Sequence, residues 1–516
     1  MRSILISFII ITLAFFMACS SDSPSPEEGR QKEEDVSYES SAKYNLNIVY
    51  FVPTDISERN EWHRRLSEIL LHGQSFILKH MNEYGFGNMT VNMFVDKTLG
   101  RVKITKISGE HATSYYPYEG GGVKMIEEIE SYFNSHPSER NSDHTLVLIP
   151  VKNPDPDKRD IPYYGYGRYC FALDYDDMDI AYLKDEDERG QKATTYIGGL
   201  LHELGHALNL PHNKQTVSDD NNPNKGTALM GSGNYTYGKY PTYLTKASCA
   251  ILNNCQVVSD SESIVFYQGA SLEVEGIQSR YEGGDLVVSG SIETNTPVSH
   301  VNFYNDPATD NADYDAVSWC VEVINNAFEV RMPVNDLFLK GNTPYVLRQR
   351  FLHENGEIST FSYAYEFIDN ELFIEFGDKD YLDRSQWAVI DFSSEEQNEK
   401  AAYVLDGDKQ TFWHSRWSTN VASYPHYLSI DMGQIQSLNG FTFVQRDGMR
   451  KVKDIEIFIS SDSQTWESKG NFVLKNINTA HHVVLEEACS CRYFKVVAKS
   501  AFDQEQFAAM AEIMCF

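Results

Sequence analysis

The residues whose types and spacing are best suited to chemistry lie between 202 and 212, where the sequence reads HELGHALNLPH. Side chains four residues apart lie on the same face of a helix, so His202 and His206 are spaced to bind one metal ion together. Glu203 lies about 100° round the helix from His202, within reach of a water molecule held by the ion without being a ligand itself. This combination predicts a zinc site with an adjacent general base.

His212 can join this site only if the chain changes direction. It lies six residues beyond His206, roughly 240° round a continuing helix, where it would face away from the ion. The helix is therefore predicted to end between the two histidines through a residue of positive φ. Asn209 is among the residues that tolerate that conformation best, and Pro211 discourages continuation of the helix. We therefore predict that Asn209 makes the turn and that His212 is the third ligand.

This segment and its surroundings resemble the metzincin zinc endopeptidases. That family has a methionine-containing turn beneath the zinc, and GTALMGSGNYTYG places Met230 eighteen residues after His212 in a glycine-rich stretch. The family's signature has glycine where this chain has Asn209. Some members also use a tyrosine two residues after the methionine, a position that Ser232 occupies here. The resemblance covers roughly residues 44–260 and implies hydrolysis of peptide bonds by the three histidines and Glu203.

The elements that must position these residues follow from hydrophobic periodicity. The zinc motif lies on an apolar helix, YIGGLLHELGHALNL, and residues 166–175 before it are predicted to form an edge strand. In the resembling family that strand is antiparallel and lines the substrate cleft, where a substrate strand could add by backbone pairing. Further strands are predicted at 45–53, 89–96 and 144–151, and further helices at 57–84, 123–135 and 243–255.

Two β-rich segments follow this α/β domain. From 264 to 370, short alternating strands separated by turn residues predict an immunoglobulin-like β-sandwich, with the role of a spacer. Residues 380–516 resemble the F5/8 type C, or discoidin-like, domain, for example in AAYVLDGDKQTFWHS and YLSIDMGQIQSLNGFTFVQRDG. The predicted fold class is therefore multidomain: a metzincin-like α/β domain, an Ig-like β-sandwich and a galactose-binding-like β-sandwich.

The second resemblance implies a structural calcium ion in the C-terminal domain. The family often carries this ion near the DGDxxT loop and a C-terminal glutamate. Oxygen ligands from Asp408, Thr411 and Glu512, completed by backbone carbonyls, suit a hard cation. A turn held by hydrogen bonds alone is the alternative.

The same resemblance implies glycan binding on loops at one end of the sandwich. Aromatic rings there stack on sugar faces, and polar side chains meet hydroxyl groups. His414, Trp417 and Arg446 lie in or beside predicted loops, and Trp413 belongs either to these loops or to the core.

The N-terminal residues indicate export. Residues 1–19 combine one basic residue, an apolar run and small residues before Cys19, which predicts a signal peptide. FMAC resembles a bacterial lipobox, which implies lipidation of Cys19 and anchoring at the outer membrane or cell surface; ordinary cleavage nearby is the alternative. Residues 20–43 are rich in Ser, Pro, Glu and Lys and are predicted to form a disordered tether.

Charge and cysteine content set further bounds. The formal net charge of −30 argues against nucleic-acid binding, which requires a basic surface. Export permits disulfides, and Cys249 with Cys255, or Cys515 with Cys489 or Cys491, are candidate pairs. Burial as free core thiols is equally compatible with the sequence.

These features predict a surface lipoprotein that cleaves peptide bonds with zinc, targeted to glycosylated proteins by its C-terminal domain. The expected partners are protein or glycoprotein substrates and glycans, with the membrane contacted only through the lipid anchor. The alternative is a glycan-binding adhesin whose peptidase domain is inactive. An intact Glu203 favours the enzyme.

Overall fold

The structure, a computed structural model, describes residues 36–152, 160–308, 313–374, 376–377 and 379–516. The predicted signal peptide, Cys19 and most of the predicted tether lie outside the described residues. Glu39 already forms an isolated bridge with Val95, with N–H···O distances of 3.2 and 3.0 Å. The tether predicted to reach residue 43 therefore ends before Glu39, and residues 38–516 form one unit.

The first region, residues 38–260, contains a twisted sheet covered by helices. Its described strands are β1 (Asn47–Val52), β2 (Val95–Asp96), β3 (Arg101–Val102), β4 (Thr105–Ser108), β5 (Thr145–Pro150), β6 (Gly165–Tyr166), β7 (Tyr169–Asp174), β8 (Thr227–Ala228) and β9 (Thr242–Tyr243). The main sheet has the order β4-β1-β5-β7-β6, in which only β6 is antiparallel to its neighbour. Every residue of β5 is buried, as expected for a parallel strand covered on both faces.

The helices of this region pack on the sheet and carry the metal motif. They are α1 (Trp62–Glu83), α2 (Gly121–Ser135), α3 (Glu188–Ala207), α4 (Val217–Asp220) and α5 (Lys246–Asn253). Asp187 caps the N-terminus of the motif helix α3, and its carboxylate accepts a hydrogen bond from Gly190 N at 3.1 Å. This N-cap satisfies a backbone donor that the helix leaves free.

Two predicted strands differ in the structure. Of residues 89–96 only 95–96 form a strand, because Asn92 gives its backbone bonds to Leu46 and Val257 rather than to a ladder. The run 166–175 is divided by Gly167, whose φ of 59° makes a tight turn. The antiparallel edge strand is therefore β6 alone, whereas β7 lies inside the sheet and runs parallel to β5.

The second region, residues 264–374, is built from two facing sheets. Its described strands are β10 (Leu272–Glu282), β11 (Asp285–Thr294), β12 (Val298–Pro307), β13 (Val317–Glu322), β14 (Ala327–Pro333), β15 (Pro344–His353), β16 (Ile358–Ile368) and β17 (Glu371–Ile374). The sheets have the orders β10-β11-β14 and β13-β12-β15-β16-β17. The sequence indicated most of these strands, but not the largely exposed β10 or the short β17.

The second region is packed against the first and is not a separate spacer. Four of its residues belong to the same buried cluster as the core of the first region: Tyr304, Ala316, Cys320 and Leu352. The Asn302 amide also donates to the carbonyl of Ala247 on α5 at 2.8 Å. Hydrophobic periodicity within residues 264–370 does not indicate this shared core, which makes the second region part of the first region's packing.

The third region, residues 379–516, is a β-sandwich with its own core. Its described strands are β18 (Ala388–Phe392), β19 (Trp413–His414), β20 (His426–Val444), β21 (Asp454–Ser460), β22 (Glu467–Val473), β23 (Ala480–Ala498), β24 (Ala509–Met510) and β25 (Glu512–Cys515). The larger sheet has the order β18-β20-β23-β21-β22, with β25 also paired to β20. Trp413 is 2% exposed and belongs to the core.

The cysteines and helices complete this description. The seven cysteines of the described residues are all unpaired, and six of them are buried, so they behave as core thiols. Cys255 does not meet Cys249; its sulfur lies 3.8 Å from His144 Nε2. Among the helices that the structure describes, none is both long enough and apolar enough to cross a membrane.

Candidate active site

Three histidines converge at the end of α3. Their ligand atoms lie within 4.8 Å of one another, and the Nε2 atoms of His206 and His212 are 3.1 Å apart. His202 Nδ1 donates to Leu229 O at 2.8 Å and His206 Nδ1 donates to Leu210 O at 2.9 Å. These bonds fix the proton on Nδ1, so the Nε2 lone pairs of His202 and His206 are directed into the cluster, where they could bind a metal ion.

The electrostatics of the cluster suit a cation. Burial and the neighbouring His206 lower the pKa of His202 to about 3, and burial and His212 lower the pKa of His206 to about 4. Both imidazoles are therefore neutral near pH 7, the form that ligates metals. The 3.1 Å nitrogen separation is close to the roughly 3.3 Å expected between two imidazole ligands of a tetrahedral zinc ion. The donor set therefore fits zinc.

The turn after α3 brings His212 into the cluster. Asn209 has a φ of 68°, which confirms the predicted left-handed conformation. Leu210 N donates to Gly205 O at 3.0 Å and Asn209 N donates to His206 O at 3.0 Å. These two bonds form a Schellman motif, the usual helix ending in which a left-handed residue reverses the chain.

Met230 packs directly beneath the motif helix. A Cβ atom on Gly205 would lie 2.4 Å from the Met230 sulfur, so a glycine is needed inside HELGH for this contact. Met230 is 1% exposed, and its carbonyl accepts from Asn213 N just after the third histidine. Met230 therefore lies against the helix that carries His202 and His206, and its assignment as a methionine turn stays a prediction. Tyr237, seven residues after Met230, is buried and packs against α1.

A buried histidine holds the carboxyl end of α3 in place. His144 Nδ1 donates to Ala207 O at 2.6 Å, and its Nε2 accepts from the Tyr267 hydroxyl at 2.6 Å. Tyr267 itself has a φ of 58°, and its N–H donates to Asn355 O in the β15–β16 hairpin. The end of the motif helix is thus linked through two side chains to the second region. Sequence reasoning missed both residues.

His206 and His212 open onto a cleft of about 500 Å³, whereas His202 is 4% exposed and lies behind them. Glu203 lines it and is 8% exposed, so its carboxylate faces the same space as the histidines. The second region contributes Tyr314, whose ring stacks on His212 at 3.7 Å, and Arg350. The first region adds an aromatic wall, formed by Tyr118, Tyr163 and Tyr164. It also contributes Gly165 of the edge strand β6.

The candidate calcium ligands of the third region are only partly brought together. Glu512 is 2% exposed and pairs with Arg384, while burial raises the pKa of its carboxyl group. Thr411 Oγ donates to Asp406 Oδ2 at 2.6 Å, whereas the carboxylate of Asp408 accepts from the loop backbone. The carboxylate beside Thr411 and Glu512 is therefore Asp406, the first aspartate of DGDxxT, and not Asp408.

The candidate glycan-binding residues lie near one another. Trp417 is 49% exposed, its ring lies 6.4 Å from that of His414, and its Nε1 donates to Glu399 at 3.1 Å. Burial lowers the pKa of His414, and the charges of Glu399 and Arg446 both act on it. The Phe507 ring lies 6.0 Å from the His414 ring. Sequence reasoning missed Glu399 and Phe507, because they are distant from residues 414–417 in the chain.

Comparisons with known proteins bear on two parts of the chain. Residues 383–513 match the model of the F5/8 type C domain, which identifies the third region as such a domain. Over 141 residues the chain is 31% identical to a sialidase of Micromonospora viridifaciens, covering 26% of this chain and 21% of that protein. The chain thus spans about a fifth of the length of the curated relatives that it matches.

Longer matches occur among solved structures. The crystal structure of wild-type OgpA from Akkermansia muciniphila is 36% identical, with a TM-score of 0.61, and covers 66% of this chain and 98% of OgpA. A catalytically inactive OgpA was solved with an O-glycopeptide substrate, glycodrosocin; it is 35% identical to this chain, with a TM-score of 0.61 and the same coverage.

Proposed function

The chain belongs to the family of OgpA, and we propose that it is a zinc-dependent endopeptidase of metzincin type that cleaves O-glycosylated proteins. The observation that carries this proposal is the convergence of three imidazoles beside a cleft that Glu203 also lines. OgpA, crystallised with an O-glycopeptide substrate, supports the substrate class. We also propose that the second region is an immunoglobulin-like β-sandwich.

The chain's own residues would share the work of hydrolysis. His202, His206 and His212 would hold the zinc ion, which when bound supplies a Lewis acid and lowers the pKa of water. Glu203 would take a proton from the attacking water and pass it to the leaving amine. The Schellman turn and the carbonyls of Leu229 and Leu210 keep the imidazoles oriented, so that little reorganisation is needed during the reaction.

The edge strand β6 offers a way to hold the peptide. It is a short antiparallel edge, and a Cβ atom on Gly165 would lie 2.6 Å from His206 Cβ. The backbone of β6 therefore approaches the motif helix closely. A substrate strand paired to this edge would pass beside the histidines, with backbone hydrogen bonds that do not depend on its side chains.

The F5/8 type C domain would bind glycans and raise the local concentration of substrate. We propose His414, Trp417 and Arg446, together with Glu399, as its sugar-contacting residues, because an exposed indole and several polar groups meet there.

We further propose a structural calcium ion in the third region and a lipid anchor at the N-terminus. Calcium would be held by Asp406, Thr411 and Glu512 with backbone carbonyls, the two carboxylates supplying the negative charge that a hard cation needs. Export and anchoring through a lipid on Cys19 would place the enzyme at the cell surface.

Mapping of new peptide termini by mass spectrometry tests this function. Purified full-length protein is incubated with mixed glycoproteins, in their native form and after enzymatic removal of O-glycans. We expect new termini near glycosylated serine or threonine residues in the native set and far fewer in the deglycosylated set. Equal cleavage of both sets would contradict the substrate class, and no cleavage of either would favour the adhesin alternative.

A further inference from the structure

We propose that Arg350 forms a carboxylate-binding subsite in the cleft beside the three histidines. The second region would thereby select substrates that carry an acidic group close to the bond that is cut. This inference rests on the proposed peptidase function and adds a specificity-determining residue to it.

Strand β15 directs Arg350 into the cleft. Its side chains alternate, so Leu347 and Phe351 are fully buried in the core of the second region, whereas Arg350 lies on the opposite face. On that face the strand meets the first region, and Arg350 lines the same cleft as His212 and Tyr314. An arginine that is more than a hundred residues away in sequence is thus brought beside the metal motif.

No described carboxylate forms an ion pair with the guanidinium group of Arg350, although the charge of Asp313 acts on it. Its Nε is buried without a hydrogen-bond acceptor. The ring of Tyr304 lies 5.3 Å from Cζ, which favours a cation but provides no acceptor at that face. Arg348, two residues earlier on the same face, has two carboxylates at 3.0 Å, those of Asp306 and Asp313. Among the described residues, carboxylates thus pair with Arg348 and not with Arg350, so an anionic group that enters the cleft could bind Arg350.

The chemistry of that partner follows from the donor. A guanidinium group presents planar paired N–H donors that match the two oxygens of a carboxylate. A half-buried cation without a partner is destabilised, and binding of an anion relieves this cost. The net charge of −30 repels acidic substrates at long range, so an acidic group would need a local cation in order to bind near the histidines.

Two substrate groups share this carboxylate chemistry. One is an aspartate or glutamate side chain near the cleaved bond, and the other is the carboxylate of a sialic acid on an attached glycan. A charge-assisted hydrogen bond of this type is expected to favour the acidic substrate by about tenfold to a hundredfold in kcat/KM. Both sources are distinguished by removing sialic acid before the reaction.

The experiment compares cleavage sites of four full-length proteins: wild type, Arg350→Gln, Arg350→Lys and Arg331→Gln. Arg331 is a matched control, since it lies on β14 of the same region and pairs with Glu282 on the surface. Each protein is incubated with mixed glycoproteins, with and without sialidase treatment, and the new termini are mapped by mass spectrometry. Thermal unfolding of each variant shows whether it is folded.

We expect wild-type sites to be enriched in an acidic residue at one fixed position, or in sialylated glycans if the preference disappears with sialidase. Arg350→Gln should lose the enrichment while cutting neutral sites within about threefold of wild type, Arg350→Lys should keep part of it, and Arg331→Gln should keep all of it. Termini without acidic enrichment in wild type, or with the same enrichment in Arg350→Gln, would overturn the subsite and leave the peptidase intact. Absence of any wild-type termini would overturn the proposed function itself.

Discussion

Replacing Asn209 by valine tests the turn that brings the third histidine to the metal. A left-handed φ such as the observed 68° costs an ordinary residue about 1–2 kcal/mol, and a β-branched residue resists it most. If valine leaves that conformation, the two backbone bonds of the Schellman motif are lost, at about 0.5–1.5 kcal/mol each. The variant bears either the strain or the loss of the two bonds, so we expect a destabilisation of about 1–3 kcal/mol. Asn209→Gly should stay within about 1 kcal/mol of wild type, because relief of strain is offset by a more flexible unfolded chain.

The assay measures zinc affinity by competition with a chelating dye, together with thermal unfolding. If this cost falls wholly on the zinc-bound state, the valine variant should bind zinc roughly 5-fold to 150-fold more weakly. Asn221→Val is the matched control, because Asn221 ends the neighbouring helix α4 with a φ of −79°, which valine tolerates. Equal zinc affinity and stability in the Asn209→Val and Asn221→Val proteins would refute the role assigned to the left-handed turn.

Four further outcomes are expected. His206→Ala should lower the zinc content of purified protein from about one ion per chain to a small fraction, measured by metal analysis; an unchanged content would place zinc elsewhere. Tyr267→Phe, which removes the hydroxyl group bonded to His144, should lower the free energy of unfolding by about 1–2 kcal/mol in urea, and an unchanged midpoint would argue against this anchor. Burial lowers the pKa of His144 from 6.5 to about 4, so the unfolded chain binds the proton first. The stability of zinc-free protein should then be retained above about pH 6.5 and fall between pH 6.5 and 4, by up to about 3 kcal/mol from His144 alone, with His202 and His206 adding to the fall; a flat profile would be inconsistent with these buried histidines being neutral. On a glycan array, full-length Glu203→Gln protein should bind glycans, and adding Arg446→Ala should weaken binding by about tenfold; binding unaffected by this change would remove Arg446 from the sugar site.

The metal motif could be predicted from sequence because its geometry is local. The four-residue spacing of His202 and His206 requires only a helix, and the position of His212 requires only a turn at Asn209. Both features depend on residues within one short segment. The packing of Met230 against Gly205 is not local; the resemblance to the metzincins predicts it, and the glycine inside the motif permits it.

Strand pairing was less predictable because it depends on distant residues. The alternation of residues 89–96 correctly indicated buried side chains, but the neighbouring place in the sheet is taken by β4. A single glycine, Gly167, decided which part of residues 166–175 forms the edge. Periodicity reports which side chains are buried, and not which backbone supplies their hydrogen-bond partners.

The residues that form the walls of the cleft could not be predicted from the sequence, because they come from distant parts of the chain. Tyr314 and Arg350 belong to a region that carries no recognisable catalytic pattern, and they reach the histidines only through a packed interface. His144 and Tyr267 likewise support the motif helix from distant positions. Asp406, by contrast, lies in the DGDxxT loop itself, so its place beside Thr411 could have been predicted from the motif.

Activity measured as a function of bound zinc tests the central claim most directly. Zinc is removed from the full-length protein and returned in steps, and glycopeptide cleavage is followed at each step for wild type and Glu203→Gln. We predict that wild-type activity rises with bound zinc and saturates at one ion per chain, whereas Glu203→Gln binds the same amount and loses most of its turnover. Full activity without zinc, or equal activity in the Glu203→Gln protein, would contradict the account of this chain as a zinc peptidase.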